Sequence, residues 1–278
     1  IKLKEGTRQD SPEQGTVEFR NVSFHYPSSH KDVLENISFR VEKGQTIAFI
    51  GSTGSGKTTL VSLAARFYDV TSGQVLLDGV DVKEYSFDAL YDRIGYVTQK
   101  AVLFAGDIRE NVLFGESRGD GSEEAVGRAI ELAQAGEFVE KLEGGIHYPI
   151  TQGGTNVSGG QKQRLSIARA LARNPEILVF DDSFSALDYQ TDAKLRKGLS
   201  EKLQGTTCMI VAQRIGTIRN ADKIVVLDEG KAVGIGTHRQ LLQSCSVYRE
   251  IAQSQLSPEE LRRDCGETDG SVSGKEAG

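Results

Sequence analysis

Residues 51–58 read Gly-Ser-Thr-Gly-Ser-Gly-Lys-Thr, a spacing of glycines, lysine and hydroxyl suited to gripping the phosphates of a nucleotide. Gly51, Gly54 and Gly56 let the backbone wrap around phosphate. The N–H groups of the loop and helix start, through Ser52, Thr53, Ser55 and Thr59, can solvate negative charge. Lys57 can reach the β- and γ-phosphates, and Thr58 can ligate Mg²⁺. A second element fits the same chemistry. Four apolar residues, Ile177 to Phe180, end in Asp181, a carboxylate able to hold Mg²⁺ through water opposite Thr58.

Such residues need strands and helices to hold them in place. The apolar run Ile47-Ala48-Phe49-Ile50 leads into the glycine loop, and a helix-compatible stretch, Thr59 to Phe67, leads out. Short runs at Val17 to Phe24, Asn36 to Val41 and Gln74 to Leu77, the last followed by Asp78-Gly79, read as antiparallel strands. Residues 107–143 and 158–173 have a helical pattern, with Leu165, Ala168, Leu171 and Ala172 on one face of the second. Three further apolar runs, Ile177 to Phe180, Cys208 to Val211 and Lys223 to Leu227, have helical segments between them. That alternation implies a parallel sheet buried on both sides. Asp228-Glu229-Gly230-Lys231 should turn the last run back as a hairpin, with helix to follow over 237–255. Residues 1–15 read as a polar linker. The sequence from 257 to 278 turns polar and then Gly/Ser-rich, so disorder is expected there.

The chain has 278 residues, 38% of them hydrophobic and 26% charged, enough for one full globular core. A net charge of −6 disfavours a sequence-independent grip on nucleic acid or anionic lipid. Cys208, Cys245 and Cys265 are odd in number and widely spaced, so neither a disulfide framework nor a zinc knuckle is indicated, and a reducing, cytosolic setting fits best. No apolar stretch nears the ~20 residues needed to cross a bilayer, and the start at Ile1 resembles no secretory signal. Beginning with Ile rather than Met is what a piece of a longer polypeptide would do.

A third motif, Asn156-Val157-Ser158-Gly159-Gly160-Gln161-Lys162-Gln163-Arg164, opens the helix that precedes the Asp181 strand. Together with the first two it resembles the signature sequence of ATP-binding cassette (ABC) proteins, over roughly residues 16–256. The resemblance implies an α/β P-loop NTPase fold with a parallel sheet core, an N-terminal antiparallel β subdomain and an inserted helical signature subdomain at about 100–173. It implies ATP and Mg²⁺ as ligands. It also matches Tyr26 to the aromatic that stacks on adenine, although a tyrosine that merely packs in the core or on the surface is equally compatible. Gln99 matches the loop glutamine that reaches Mg²⁺ and couples to the transmembrane partner. Ser185-Ala186-Leu187-Asp188 matches the loop that crosses the dimer interface. In such proteins two cassettes pair head to tail, and Ser158, Gly159, Gly160 and Gln161 act on the partner's ATP.

The stretches Gly73 to Gly79, Leu103 to Asn111 and Gly236-Thr237-His238 look like those of multidrug- and lipid-exporter cassettes. There a transmembrane domain precedes the cassette on the same polypeptide and the cassette lies at the cytoplasmic face of the cell membrane. Two positions depart from the family. Asp182 stands where active cassettes have a glutamate that polarises the attacking water, a carboxylate retracted by roughly 1.5 Å, one C–C bond. Gln213 stands where a histidine contacts the γ-phosphate. Its amide can donate a hydrogen bond but cannot move a proton as an imidazole can. Both changes spare binding and weaken chemistry, which points to a degenerate ATP site in one half of a heterodimeric exporter. Two other readings stand beside it: a homodimeric ATPase using Asp182 as base and Gln213 to position phosphate, and a nucleotide-gated regulatory module needing little hydrolysis. The transported substrate lies beyond what these residues report.

Overall fold

The computed structural model describes residues 3–115 and 121–265. In chain order the strands are β1 (Val17–Phe24), β2 (Leu34–Val41), β3 (Thr46–Gly51), β4 (Ser72–Leu77), β5 (Val80–Asp81), β6 (Ile94–Val97), β7 (Gly106–Asp107), β8 (Pro149–Ile150), β9 (Ile177–Asp181), β10 (Thr207–Val211), β11 (Lys223–Asp228) and β12 (Lys231–Gly236). The helices are α1 (Lys57–Ala64), α2 (Phe87–Arg93), α3 (Ile108–Val112), α4 (Glu123–Leu132), α5 (Gly136–Glu140), α6 (Gly159–Ala172), α7 (Tyr189–Lys202), α8 (Ile215–Ile218), α9 (His238–Ser244), α10 (Ser246–Gln255) and α11 (Pro258–Cys265).

The central sheet has the order β12-β11-β3-β10-β9-β6. Its inner strands pair in parallel and only β12 runs back, antiparallel to β11. Because side chains alternate across a strand, each strand feeds two cores. Ile47, Phe49, Val179, Met209 and Val225 enter one apolar cluster with α1 and the antiparallel sheet. Ala48, Ile50, Phe180, Ile210 and Val226 enter another with α4, α6, α7 and α10. Burial on both faces is why these runs read as unbroken hydrophobic stretches rather than alternating ones.

The second sheet, β2-β1-β4-β5, is antiparallel. Val17 and Phe19 point inward, the register then shifts at Asn21 (φ 48°), and Val22 and Phe24 resume the buried face. Both hairpin turns foreseen in the sequence have two successive residues with positive φ, 55° and 77° at Asp78-Gly79 and 44° and 80° at Glu229-Gly230.

The helical stretch expected over 107–143 is broken rather than continuous. Gly115 (φ 72°), Gly121 (φ 62°) and Gln134 (φ 58°) interrupt the ladder, and α3 and α4 each restart on a capping side chain, Asp107 and Ser122. Residues 116–120 lie outside the described part.

Both ends of the described part are held to the body of the protein. Within the first fifteen residues, the backbone of 4–9 is tied down: Gly6 N–H donates to Tyr85 O at 3.1 Å and Arg8 N–H to Glu84 O at 2.9 Å. The buried guanidiniums of Arg66 and Arg93 donate to the carbonyls of Lys4 and Gln9. At the other end, the expectation of disorder from residue 257 does not hold for Pro258–Cys265, which forms α11. Ser257 and Glu260 cap it reciprocally, at 2.9 and 3.2 Å, and Asp264 is buried against the body of the protein. The expected disorder of 266–278 lies outside the described residues.

Candidate nucleotide site

β3 delivers the chain into the glycine loop between two parallel neighbours, β10 and β11. Close approach dictates the glycines. A Cβ at Gly51 would lie 2.0 Å from Leu227 O, and one at Gly56 (φ 101°) 2.7 Å from Leu34 Cδ2. Ser55 and Thr59 are buried beneath the loop. Nothing lies within 4 Å of a Cβ built at Gly54. Lys57 folds back across this loop, its Nζ donating to Gly51 O at 2.8 Å and Ser52 O at 2.7 Å. Burial holds its pKa below the usual lysine range, against the opposing pull of Asp182 and Asp181.

At the carboxyl end of β9, Asp181 Oδ1 accepts from Thr58 Oγ1 at 2.8 Å, and Oδ2 accepts from the Tyr96 hydroxyl at 3.3 Å. Burial raises the Asp181 carboxyl pKa, with the two hydroxyl donors working in the opposite direction. A hydroxyl and a buried carboxylate brought together here are the hard oxygen donors that Mg²⁺ prefers. A cation would also offset the burial of Asp181.

Asp182 is buried in a left-handed conformation, φ 49° and ψ 25°, and its N–H donates to Val211 O at 3.1 Å. Its Oδ2 accepts two amide hydrogen bonds, from Gln213 Nε2 at 2.7 Å and Gln99 Nε2 at 3.1 Å. The two positions that departed from the family pattern are thus bonded to each other. Gln99 places its amide nitrogen on Asp182, one residue beyond the Thr58–Asp181 pair.

Tyr26 is half-buried, its ring held edge-on by Phe24 and Tyr68 at 4.9 and 5.2 Å and its hydroxyl 2.9 Å from Thr59 Oγ1. Ser158, Gly159, Gly160 and Gln161 stand apart from this cluster. Among the described residues no hydrogen bond joins them to 51–59. They form the start of α6, where Ser158 Oγ accepts from Gln161 N–H at 3.3 Å and Gln161 Oε1 accepts from Ser158 N–H at 2.8 Å. A Cβ at Gly160 would sit 3.6 Å from Ala186 O, so this helix start abuts the 185–188 loop. In that loop Ser185 and Ala186 are exposed, Leu187 is buried, and Asp188 caps α7 by accepting from Thr191 N–H at 2.9 Å. Ser185 Oγ also donates to Asp182 O at 2.7 Å.

Two participants escaped the sequence reading. Tyr96 lies in β6, three residues before Gln99, and its own residue type carries no signal of a role there. Gln255 bonds the Gln213 segment from 42 residues away, and no local signal marks it. The capping pattern Ser257-Pro258-Glu259-Glu260, with proline at the first helical position, was the available sign that the chain stays folded past 257.

A glycine loop between a parallel strand and a helix, with a carboxylate at the tip of a nearby strand, defines the P-loop NTPase fold. Residues 34–185 match the sequence profile of the ABC transporter family, and the chain belongs to that family as an ATP-binding cassette. It is 46% identical over 242 residues to an uncharacterized ABC transporter ATP-binding protein of Mycobacterium bovis, covering 87% of this chain and 41% of that protein. It is 40% identical over 252 residues to the ATP-dependent lipid A-core flippase of Haemophilus ducreyi, covering 91% of this chain and 43% of the flippase. The structure of a bacterial Atm1-family ABC exporter with ATP bound superposes with a TM-score of 0.87 at 33% identity, covering 92% of this chain and 45% of the exporter. The chain thus spans about two-fifths of the length of these curated relatives. No helix among the described residues is long and apolar enough to cross a membrane.

Proposed function

We propose that this chain is the ATP-driven engine of an ABC exporter, working as the slow half of an asymmetric, head-to-tail pair of cassettes. The observation that carries the asymmetry is the Asp182 carboxylate, held by the amides of Gln213 and Gln99 at 2.7 and 3.1 Å. A shortened carboxylate drawn toward two amides is poorly placed to orient a water, and neither amide can take up a proton. The parts that bind are unaltered. Lys57 and the loop N–H groups would hold the phosphates of ATP, Tyr26 would stack on the base, and Thr58, Asp181 and Gln99 would hold Mg²⁺. The ion, when bound, supplies charge neutralisation on the phosphate oxygens.

In the same reading Ser158 to Gln161 offer an exposed helix N-terminus to the γ-phosphate of ATP on the opposite cassette. Ser185 to Asp188 would lie along the seam between the two. Transmembrane segments would belong to the longer polypeptide, with the cassette at the cytoplasmic face of the membrane. The names of the relatives support export as the direction of transport.

The test is to purify the full-length protein from solubilised membranes of its host and identify the co-purifying chain with its stoichiometry. An equimolar second cassette with glutamate and histidine at the positions of Asp182 and Gln213 is the expected result. Recovery of this chain alone as a dimer would overturn the asymmetric reading and assign the chemistry to Asp182 and Gln213.

A further inference from the structure

The short helix α8 follows Gln213 directly and is gripped at both ends by the C-terminal segment. At its start, Arg214 occupies the cap position without a side-chain cap bond. Gln255, the last residue of α10, fills that role from outside: its Oε1 accepts from Ile215 N–H at 2.8 Å. The other end of the same amide, Nε2, donates to Gln213 O at 2.8 Å. One side chain therefore spans Arg214 and fixes the backbone on both sides of it. Beyond α8, Arg219 donates to both oxygens of Asp264 in α11, each at 2.9 Å.

Asp264 is itself anchored. His238 Nε2 lies 3.1 Å from its Oδ2, while His238 Nδ1 lies 2.7 Å from the Tyr248 hydroxyl, and all three side chains are buried. The α10–α11 pair is thus locked to α9 and clasps α8 at residues 215 and 219. From Gln255 the path runs through the Gln213 backbone and the Gln213 amide to Asp182 Oδ2.

We propose that Gln255 is a positioning residue for the nucleotide site, holding the Gln213 backbone so that the Gln213 amide engages Asp182. The inference rests on the reading of this chain as an ATP cassette. Gln255 faces solvent, so replacing it removes two hydrogen bonds without opening the core. A displacement on the order of 1 Å at a reacting group is worth about a hundredfold in rate, and the Gln213 amide draws the Asp182 carboxylate away from a water, so a freed Gln213 should speed turnover.

The assembled transporter is photolabelled with 8-azido-ATP carrying the label on the α- or the γ-phosphate, and the label on this chain is followed after gel separation. Label at the α-phosphate reads binding; loss of label at the γ-phosphate reads hydrolysis. Hydrogen exchange over residues 213–219 reads the clasp itself. Gln255→Leu should speed γ-label loss at least about tenfold, leave α-labelling intact and speed exchange at Ile215. Gln255→Glu keeps the acceptor for Ile215 N–H and loses the donor to Gln213 O, so it should keep the Ile215 protection and still show the faster γ-label loss. If Gln255→Leu speeds exchange while γ-label loss is unchanged or slower, or if exchange does not change, the positioning role is overturned and the ATP reading stands. If the wild-type chain takes up no α-label, the ATP reading falls, and this inference with it.

Discussion

Restoring the two missing groups should wake the site. The double substitution Asp182→Glu with Gln213→His, made in the assembled transporter, extends the carboxylate by one C–C bond, roughly 1.5 Å. It also removes the amide that now holds Asp182 Oδ2 at 2.7 Å. A displacement on the order of 1 Å at a catalytic group is worth about a hundredfold, or about 2.7 kcal/mol of barrier. Faster hydrolysis at this chain's own site by about that factor is the expected outcome, read as loss of γ-label relative to α-label on this chain. A cost opposes it on a different axis. Residue 182 has φ 49°, where glutamate is less at home than aspartate, so folding stability should fall by roughly 1 kcal/mol. Turnover and stability should therefore move in opposite directions, which separates repaired chemistry from a general tightening of the fold. Hydrolysis unchanged or slower in the double variant, with α-labelling intact, would show that Asp182 and Gln213 do not limit the site.

The other expectations concern binding, the partner site and the buried charges. Lys57→Ala should abolish α-labelling of this chain, whereas Ser158→Ala should leave it intact and depress hydrolysis on the opposite cassette; equal loss on both chains would contradict the division of labour. Asp264→Ala leaves Arg219 and buried His238 without their shared carboxylate, and should lower stability by about 2 kcal/mol in urea unfolding, below the range for a fully buried pair because Arg219 is part-exposed. Asp78 is fully buried near Glu176, and that burial pushes its pKa up to about 7 from 3.8. The folded state then binds the proton more tightly than the unfolded one, so this group's contribution to stability falls as pH rises from about 4 to 7. Asp78→Asn keeps an acceptor for Thr16 N–H and should flatten that slope; a slope left unchanged in pH-dependent unfolding would rule the assignment out.

What the sequence disclosed and what it hid divide along contact range. The central strands were legible because burial on both faces leaves a run such as Ile177 to Phe180 with no polar residue to break it. The glycine loop was legible because local backbone geometry fixes its residue types, as at Gly54 and Gly56, whose φ values are 84° and 101°. The helix over 107–143 was over-read. Its apolar spacing is helical, but positive-φ breaks at Gly115, Gly121 and Gln134 divide it, and at Gln134 no glycine gives warning.

The C-terminal end was misread for a different reason. Composition judged Ser257 onward by its polarity, yet α11 lays Leu261 and Cys265 against the core and adds the polar contacts of Asp264. Asp264 meets Arg219 and His238, which lie 45 and 26 residues earlier, so the local capping pattern at Ser257 to Glu260 can announce the helix but not where it docks. The same holds at the site. Asp182 and Gln213 could each be compared with a family position, but that one amide nitrogen binds the other's carboxylate follows from β9 and β10 lying side by side in register, with Asp181 opposite Val211. That pairing turns two separate substitutions into one coupled unit, and Gln255 extends the unit to the C-terminal helices. It follows that Asp182→Glu or Gln213→His alone should recover less than their combination, because each single change leaves the other member of the pair in place.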